Sequence, residues 1–346
     1  MPFIEFDENG VCNYCRNYSP MDIKDPKNLE KITQKYRKNN GETDCIVTFS
    51  GGRDSSYGLY YIKDVLKMNP VAFSYDWGML TDLGRRNQAR MTGELEVEHV
   101  LISADIRKKR ENIKKNVEAW LKKPNLGTVP LFMAGDKQYF YYANMLKKQM
   151  GVDLVILCEN PMEKTDFKSG YCGIKPEKPT GKKFYALSIK NTFKLMFYYG
   201  KEYLSNPAYI NRSIFDSIWA FQSYYFIPHD FLSLYTYIRW EEKNVENTLK
   251  KYNWEIAKDT DTTWRIGDGT AAFYNYIYYT MAGFSENDTF RSNQIREGDV
   301  TRSEALKITE RDNKPRIDTL KWYTDTINVD FLSTIKTINS APKLYS

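Results

Sequence analysis

A short polar segment combines residue types that suit phosphate binding, and it reads Ser50-Gly51-Gly52-Arg53-Asp54-Ser55-Ser56. The two glycines allow backbone N–H groups to approach an anion closely, and the three serine hydroxyls offer further donors. Arg53 adds a fixed positive charge, and Asp54 could cap a helix or hold Mg²⁺. No Walker A pattern, Gly-x-x-x-x-Gly-Lys-Ser/Thr, occurs here. We therefore predict a phosphate site of another type, with an ordinary strand-to-helix turn as the alternative.

The flanking residues predict a strand before this segment and a helix after it. Residues 45–49 form a short apolar run typical of a buried strand, and an apolar stripe of helical period covers residues 57–66. The later predicted elements are strands at 71–75, 97–102 and 154–158 and helices at 104–122 and 140–150. Strand and helix thus alternate over residues 40–160. This alternation predicts an α/β fold with an open parallel sheet and helices on both faces.

The segment from Ser50 to Ser55 resembles the Ser-Gly-Gly-x-Asp-Ser loop of the PP-loop ATP pyrophosphatases, many of which carry Lys in place of Arg53. The resemblance implies a five-stranded parallel sheet and cleavage of ATP between its α- and β-phosphates, with AMP transferred to an acceptor oxygen and Mg²⁺ bound to the phosphates. It also implies a set of ATP-binding residues: Ser50, Gly51, Gly52, Asp54, Ser55, Ser56, Ser74, Asp76, Glu159 and Asn160. For the last four, turn residues are the alternative.

Other blocks narrow the resemblance to the N-acetyl sugar amidotransferases of bacterial surface-glycan pathways, such as those of lipopolysaccharide and O-antigen. The blocks lie at residues 7–18, 263–269, 283–285, 295–298 and 301–306. This resemblance implies conversion of an acetamido group to an acetamidino group, through an adenylated amide that ammonia attacks. It implies catalytic roles for Arg53, Asp54, Asp268 and Arg296, with structural ion pairs as the alternative.

The implied substrate is an N-acetylated, nucleotide-linked sugar, and the implied partner is a glutaminase subunit, because free ammonia is scarce and mostly protonated at neutral pH. The chain cannot easily be its own glutaminase. His99 lies in an apolar strand and His229 follows a proline, and neither accompanies a recognisable cysteine nucleophile motif. We interpret both histidines as structural.

Composition limits the other classes of function. A net charge of +6 is modest for 346 residues, and the Lys-rich stretch 107–123 has apolar residues at helical spacing, so a nucleic-acid partner is not expected. No apolar run is long enough to cross a membrane, and residues 1–8 do not resemble a secretory signal. The low, odd count of five cysteines suits a reducing cytoplasm.

Cys12-x-x-Cys15 has the spacing of half a zinc ribbon, and one such pair alone is a weak signal for Zn²⁺. In the resembling family a second pair commonly precedes it, but this chain departs from that pattern. Cys158 and Cys172 are alternative ligands from a different part of the chain. Cys45, inside the first strand, is expected to be a buried apolar residue.

The expected organisation is a cysteine-bearing leader over residues 1–40, an ATP-binding domain over 41–175 and a mostly helical substrate- and partner-binding region over 176–346. In the last region, aromatic-rich helices are predicted at 193–204, 218–237 and 271–282. Two other functions stay open. One is a tRNA-modifying PP-loop enzyme, either a thiolase or an enzyme like lysidine synthetase. The other is a nucleotide-binding scaffold that has lost catalysis.

Overall fold

The structure is a computed structural model that describes residues 1–177, 187–227 and 230–345. Its strands are β1 (Cys45–Thr48), β2 (Pro70–Asp76), β3 (Glu98–Ser103), β4 (Leu154–Leu157) and β5 (Leu232–Ser233). Its helices before β4 are α1 (Asn13–Arg16), α2 (Pro26–Gln34), α3 (Arg53–Tyr60), α4 (Asp82–Glu94), α5 (Ile106–Lys122) and α6 (Tyr139–Met150).

After β4 the described chain is mostly helical. The helices are α7 (Phe167–Gly170), α8 (Ile189–Ser205), α9 (Ser213–Tyr225), α10 (Glu242–Lys250), α11 (Gly269–Ala282), α12 (Glu286–Glu297), α13 (Arg302–Asp312), α14 (Ile317–Thr326) and α15 (Phe331–Ser340). A π-helical turn continues α3 over Tyr61–Val65, and 3-10 segments cover Leu126–Gln138, Pro161–Glu163, Pro207–Tyr209 and Leu234–Thr236. None of the helices in the described ranges is both long and apolar enough to span a lipid bilayer.

The sheet has the order β3-β2-β1-β4-β5, and all four pairings are parallel. In the central strand β1, Ile46 pairs with Val71 of β2 on one side and Val155 of β4 on the other. From β1 the chain first continues to β2 and β3 on one side and then returns to β4 and β5 on the other side. The carboxyl ends of β1 and β4 therefore flank a topological switch point, where open α/β sheets bind ligands. The predicted open parallel sheet is confirmed.

Alternate side chains of the central strands are buried on opposite faces of the sheet. In β1, Cys45 and Val47 belong to one apolar cluster, whereas Ile46 belongs to another together with Val155 of β4 and Ala143 of α6. Because successive side chains of a strand point to opposite faces, both faces must be covered by helices. The first cluster includes Leu59 of α3, Met91 of α4 and residues of the helical C-terminal region.

One predicted helix differs from the structure. The segment predicted as a helix over 218–237 ends as a helix at Tyr225, and Leu232 then pairs with Ile156 as the fifth strand. Aromatic composition favours neither state, and the pairing with β4 is a tertiary contact that no local pattern specifies. His229 lies outside the described residues, as does part of the Pro- and Lys-rich stretch that follows Lys175.

Candidate functional site

The polar segment forms the turn from β1 into α3. Gly51 has a φ of +75°, and a Cβ there would lie 2.7 Å from the backbone oxygen of Gly84, so only glycine fits this turn. The Ser55 hydroxyl accepts from the Ser50 N–H at 3.1 Å, which curls the turn tightly. Helix α3 begins at Arg53, and in the described chain no side chain caps it. Its first backbone N–H groups are therefore available to an anion.

Five residues of the segment line a cavity at this helix terminus: Ser50, Gly52, Arg53, Asp54 and Ser55. The side chain of Arg53 is fully buried, and its hydrogen bonds go to Asp54, Glu242 and Thr263. It also lies 4.6 Å from the ring centroid of Trp240. These contacts form a buried ion-pair network, and Arg53 Nη2 has no hydrogen-bond partner among the described residues, so the predicted catalytic role of Arg53 stays a prediction. Ser56 is fully buried and does not line the cavity, and its Oγ has no hydrogen-bond partner among the described residues.

Asp54 lies at the junction of the loop and the C-terminal region. Its Oδ1 accepts from Arg53 Nε and from the indole Nε1 of Trp240, both at 2.9 Å, and its backbone oxygen accepts from the hydroxyl of Tyr235 at 2.6 Å. A carboxylate fixed on one oxygen can present its second oxygen to the cavity. The position fits the predicted role of Asp54 in binding Mg²⁺.

The carboxyl end of β2 presents different residues from those predicted. Phe73, Tyr75 and Trp77 line the cavity, whereas Ser74 and Asp76 point to the opposite face. Ser74 accepts from Gln88 Nε2 at 3.1 Å and lies 2.7 Å from Nε2 of His99. The carboxylate of Asp76 accepts from Gly78 N–H and pairs with Arg85. The strand alternation thus gives the aromatic side chains direct contact with the cavity, whereas Ser74 is joined to its wall through Gln88.

His99 has the structural role that the sequence predicted, since its Nε2 bonds to the buried Ser74 hydroxyl. Burial lowers the pKa of this imidazole. The ring is therefore neutral near pH 7 and joins β3 to β2.

The carboxyl end of β4 brings both predicted residues to the cavity. Glu159 accepts from the Tyr139 hydroxyl at 2.6 Å, and Asn160 caps the following 3-10 turn through Met162 N–H at 3.0 Å. Asn160 is buried, and its Nδ2 has no hydrogen-bond partner among the described residues. A buried amide donor at the cavity wall, near the open end of α3, is suited to a phosphate oxygen.

The cavity has a volume of about 860 Å³ and lies between the carboxyl ends of the strands and the helical region. Its phosphate-loop end is polar. Its other end is apolar and is lined by residues of α8 and α9, namely Leu195, Met196, Tyr199, Ile214, Ile218, Phe221 and Tyr225. Ligand cavities commonly combine an apolar wall with a few convergent polar groups.

A cluster of alternating charges forms part of the polar wall. Lys168 pairs with Glu286, and Arg265 Nη2 lies 3.1 Å from Glu163 Oε2 and its Nε 3.6 Å from Glu286 Oε2. Burial alone would raise the pKa of Glu286, but Lys168 and Arg265 lower it to about 2. Glu286 is therefore ionised at any physiological pH, and it holds both cations at the cavity.

Two further carboxyl groups in the wall have raised pKa values. Burial raises the pKa of Glu163 to about 7, and the charge of nearby Asp54 adds to this effect, although Arg265 opposes it. Burial and the charge of Asp136 raise the pKa of Asp268 to about 6. Asp268 also caps α11 by accepting from Thr270 N–H at 2.9 Å. Buried carboxyl groups that titrate near pH 7 are typical of catalytic acids and bases.

Arg296 does not lie at this cavity. Its Nη1 donates to Asn293 at 2.8 Å, and its guanidinium lies 5.5 Å from the ring centroid of Tyr18 in the N-terminal segment. Arg296, on α12, therefore contacts the N-terminal leader through Tyr18 and does not line the cavity beside the loop. Asp268, from the block at 263–269, does line the cavity together with Trp264, Arg265 and Gly267.

The cysteines are not arranged as a zinc site. Cys12 immediately precedes the short helix α1 and Cys15 lies within it, and Cys15 is exposed. Cys158 is buried against Gly58, and Cys172 donates to the backbone oxygen of Gly127 at 3.4 Å. Across the described ranges, no group of three or more Cys, His, Asp or Glu side chains is placed to hold a metal. Two thiols alone do not fit a structural Zn²⁺, so the expectation of zinc has no support.

Sequence reasoning missed the wall residues that lie outside recognised motifs. Glu163, Lys168 and Tyr75 have no local pattern that would separate them from solvated or core residues. Glu286 directly follows the block at 283–285. The sequence therefore marked this region, but it indicated no role for Glu286 itself.

Comparisons with known proteins do not assign this chain to a family. No protein-family profile matches it. An uncharacterized protein of Methanocaldococcus jannaschii is 28% identical over 105 residues, which are 30% of this chain and 38% of that protein. The chain therefore matches well under half of that relative's length.

Two solved structures are similar at low TM-scores. The NMN synthetase of Francisella tularensis has a TM-score of 0.40 and 13% identity, over 87% of this chain and 92% of that one. The NH3-dependent NAD synthetase of Campylobacter jejuni has a TM-score of 0.28 and 16% identity, over 59% of this chain and 96% of that one. Such scores are too low for a function to be inferred from either.

Proposed function

We propose that this chain is an ATP-dependent amidotransferase that cleaves ATP to AMP and pyrophosphate and converts an acetamido group of an N-acetyl sugar to an acetamidino group. The observation that carries the proposal is the uncapped start of α3, which opens with Asp54 onto a cavity of about 860 Å³. That volume lies toward the upper end of ligand pockets, about 300–1,000 Å³, and suits a nucleotide with part of a second substrate.

The residues of the phosphate end fit a bound triphosphate. The backbone N–H groups at the start of α3, the Ser50 hydroxyl and the free Nδ2 of Asn160 supply donors for its oxygens. Mg²⁺ usually binds through one or two carboxylates together with substrate phosphates, and Asp54, at the start of α3, is the carboxylate that would hold it. When bound, Mg²⁺ would offset negative charge on the phosphates.

In the proposed first step, the amide oxygen of the sugar attacks the α-phosphorus of ATP, and the bond to the β-phosphate breaks to release pyrophosphate. In the second step, ammonia forms a bond to the imidate carbon and AMP leaves with the former amide oxygen, which yields the amidine. Each step requires that the reactants be held close and that charge be stabilised at the α-phosphate. Arg265 and Lys168, two cations of the cavity wall, are the residues that we assign to stabilising charge at the α-phosphate.

The attacking ammonia must lose protons, and Glu163 is placed to accept one. Its pKa of about 7 means that about half of the molecules carry the carboxylate form at neutral pH. Asp268, with a pKa of about 6, is the second candidate base. Supply of ammonia by a separate glutaminase subunit is part of the proposal.

The sugar acceptor is supported by sequence blocks rather than by the phosphate end of the cavity. The block at 263–269, which resembles the sugar amidotransferases, supplies Trp264, Arg265, Gly267 and Asp268 to the cavity wall. Cys158 and Cys172, which kept a tRNA thiolase open, both line this cavity. Burial raises the pKa of each thiol, which opposes the thiolate form that a nucleophile requires, so the proposal is favoured over the tRNA-modifying alternative.

The test is pyrophosphate release from ATP and Mg²⁺ with ammonium, across a panel of N-acetylated free and nucleotide-linked sugars. Mass spectrometry should find that one sugar has exchanged oxygen for NH. Asp54→Asn should lower turnover by roughly a hundredfold or more. Asp64→Asn is the matched control, because Asp64 bonds to Tyr252 and does not line the cavity. ATP binding without turnover on any sugar would overturn the proposal that the acceptor is an N-acetyl sugar. Absence of ATP binding would overturn the proposed function as a whole.

A further inference from the structure

Helices α8 and α9 carry large apolar side chains on their outer surface. Phe193 and Phe197 of α8 are 62% and 78% exposed, and Phe215 of α9 is 76% exposed. We call the whole set the apolar rim: Ile189, Phe193, Met196, Phe197, Leu204, Ile210, Phe215 and Ile218. Single exposed apolar residues are common, but a group of this size on two neighbouring helices indicates a binding surface.

The two helices meet at the mouth of the cavity. On their inner sides, Leu195 of α8 and Phe221 and Tyr225 of α9 belong to one apolar cluster. On their outer sides, Met196 and Ile218 are exposed and also line the cavity. The apolar rim therefore adjoins the cavity through Met196 and Ile218.

Positive charges are interspersed with the aromatic residues of this surface. Lys190, Lys194 and Lys201 are exposed on α8, and Arg212 is exposed just before α9. Protein interfaces are depleted of lysine at their centres, whereas helices that lie on a bilayer combine Phe and Leu with Lys. The mixture of phenylalanine and lysine thus favours a lipid surface over a protein partner.

We propose that the apolar rim and its lysines bind the surface of a bilayer that contains anionic lipids. The phenyl rings would enter the headgroup region, and the ammonium groups would lie near lipid phosphates. The helices lie on the bilayer and do not cross it. The cavity mouth then faces the lipid surface. This inference concerns binding alone and does not depend on the proposed reaction.

The experiment is co-sedimentation of the full chain with phosphatidylcholine vesicles, with and without phosphatidylglycerol. Binding should require the anionic lipid and should weaken as salt is raised, since surface charges are screened. Lys194→Glu should reduce the partition coefficient by about fivefold or more, because one lysine near an anionic surface contributes about fivefold. The double variant F193S/F197S should reduce it by about tenfold or more.

Leu332→Ser is the matched control, since Leu332 is 74% exposed on α15, outside the apolar rim. Retained thermal unfolding and ATP binding show that each variant is folded. Vesicle binding that is the same for wild type and F193S/F197S would overturn the proposal. A wild-type chain that ignores vesicles but forms dimers, which F193S/F197S makes monomeric, would assign the surface to a second copy and also overturn it.

Discussion

The buried guanidinium of Arg53 donates to the carboxylate of Glu242 across 189 residues of sequence, with 2.9 Å between Nη1 and Oε1. Arg53 is the first residue of α3, and Glu242 begins α10 in the C-terminal region. The pair therefore fixes the start of the phosphate-loop helix to the helical region that forms the other wall of the cavity. Loss of this contact should therefore affect both the stability of the fold and the position of the predicted phosphate loop.

Arg53→Ala should destabilise the fold by about 3 kcal/mol, because it removes the buried cation that Asp54 and Glu242 share and leaves Glu242 paired with Arg291 alone. Urea unfolding measures this loss. Arg239→Ala is the control, since that residue forms an exposed pair with Asp299 and should cost at most about 1 kcal/mol. An Arg53→Ala protein of normal stability that binds ATP weakly would instead show that the guanidinium serves the phosphates directly.

Gly51→Ala should abolish tight ATP binding, because its Cβ would collide with the Gly84 oxygen at 2.7 Å and displace the turn. Gly41→Ala is the matched control: it shares a positive φ, +84°, and has no atom within 4 Å of the added Cβ. That control should lose only about 1 kcal/mol of stability through backbone strain and keep its affinity for ATP. Calorimetric titration with ATP compares the two. Equal affinities would contradict the assigned loop geometry.

Stability should fall as pH rises from about 4.5 to 7 through the contribution of Glu163. The folded chain binds this proton more tightly than the unfolded chain, because burial raises the pKa from 4.5 to about 7. The contribution is fully present below pH 4.5 and is lost as pH rises through 7. Glu163→Gln should remove a pH-dependent change of roughly 3 kcal/mol from denaturation curves. Glu30→Gln, in an exposed position of α2, should leave the profile unchanged.

The cysteines should differ sharply in their reaction with a thiol reagent. Cys15 is exposed and should react within minutes in the folded protein. Burial raises the pKa of both Cys45 and Cys158, so these thiols should react only on unfolding. Labelling followed by mass spectrometry checks the order, with Cys15→Ser as the control. Rapid labelling of Cys158 in the folded chain would contradict its buried position and revive a role in thiol chemistry.

Local patterns were sufficient for much of the sheet. The apolar runs at β1, β2 and β4 are short and buried, which makes them visible as strands, and the glycines of the loop mark the turn into α3. β3 was predicted from its apolar run, although its residues are exposed or half-buried. The fifth strand was missed, since Leu232–Ser233 is a strand only because it pairs with β4. Its two residues carry no periodicity of their own.

The sequence by itself determined a glycine- and serine-rich turn between a buried strand and a helix, because glycine at that turn acts through local backbone geometry, and from it the sequence predicted a phosphate site. Only the tertiary structure decided which side chains share the cavity with that loop. Strand alternation directed Tyr75 inward and Ser74 away, and packing of distant segments gathered Glu163, Arg265 and Glu286. The contact between Glu163 and Arg265 joins residues 102 positions apart, and no local spacing within the chain encodes it.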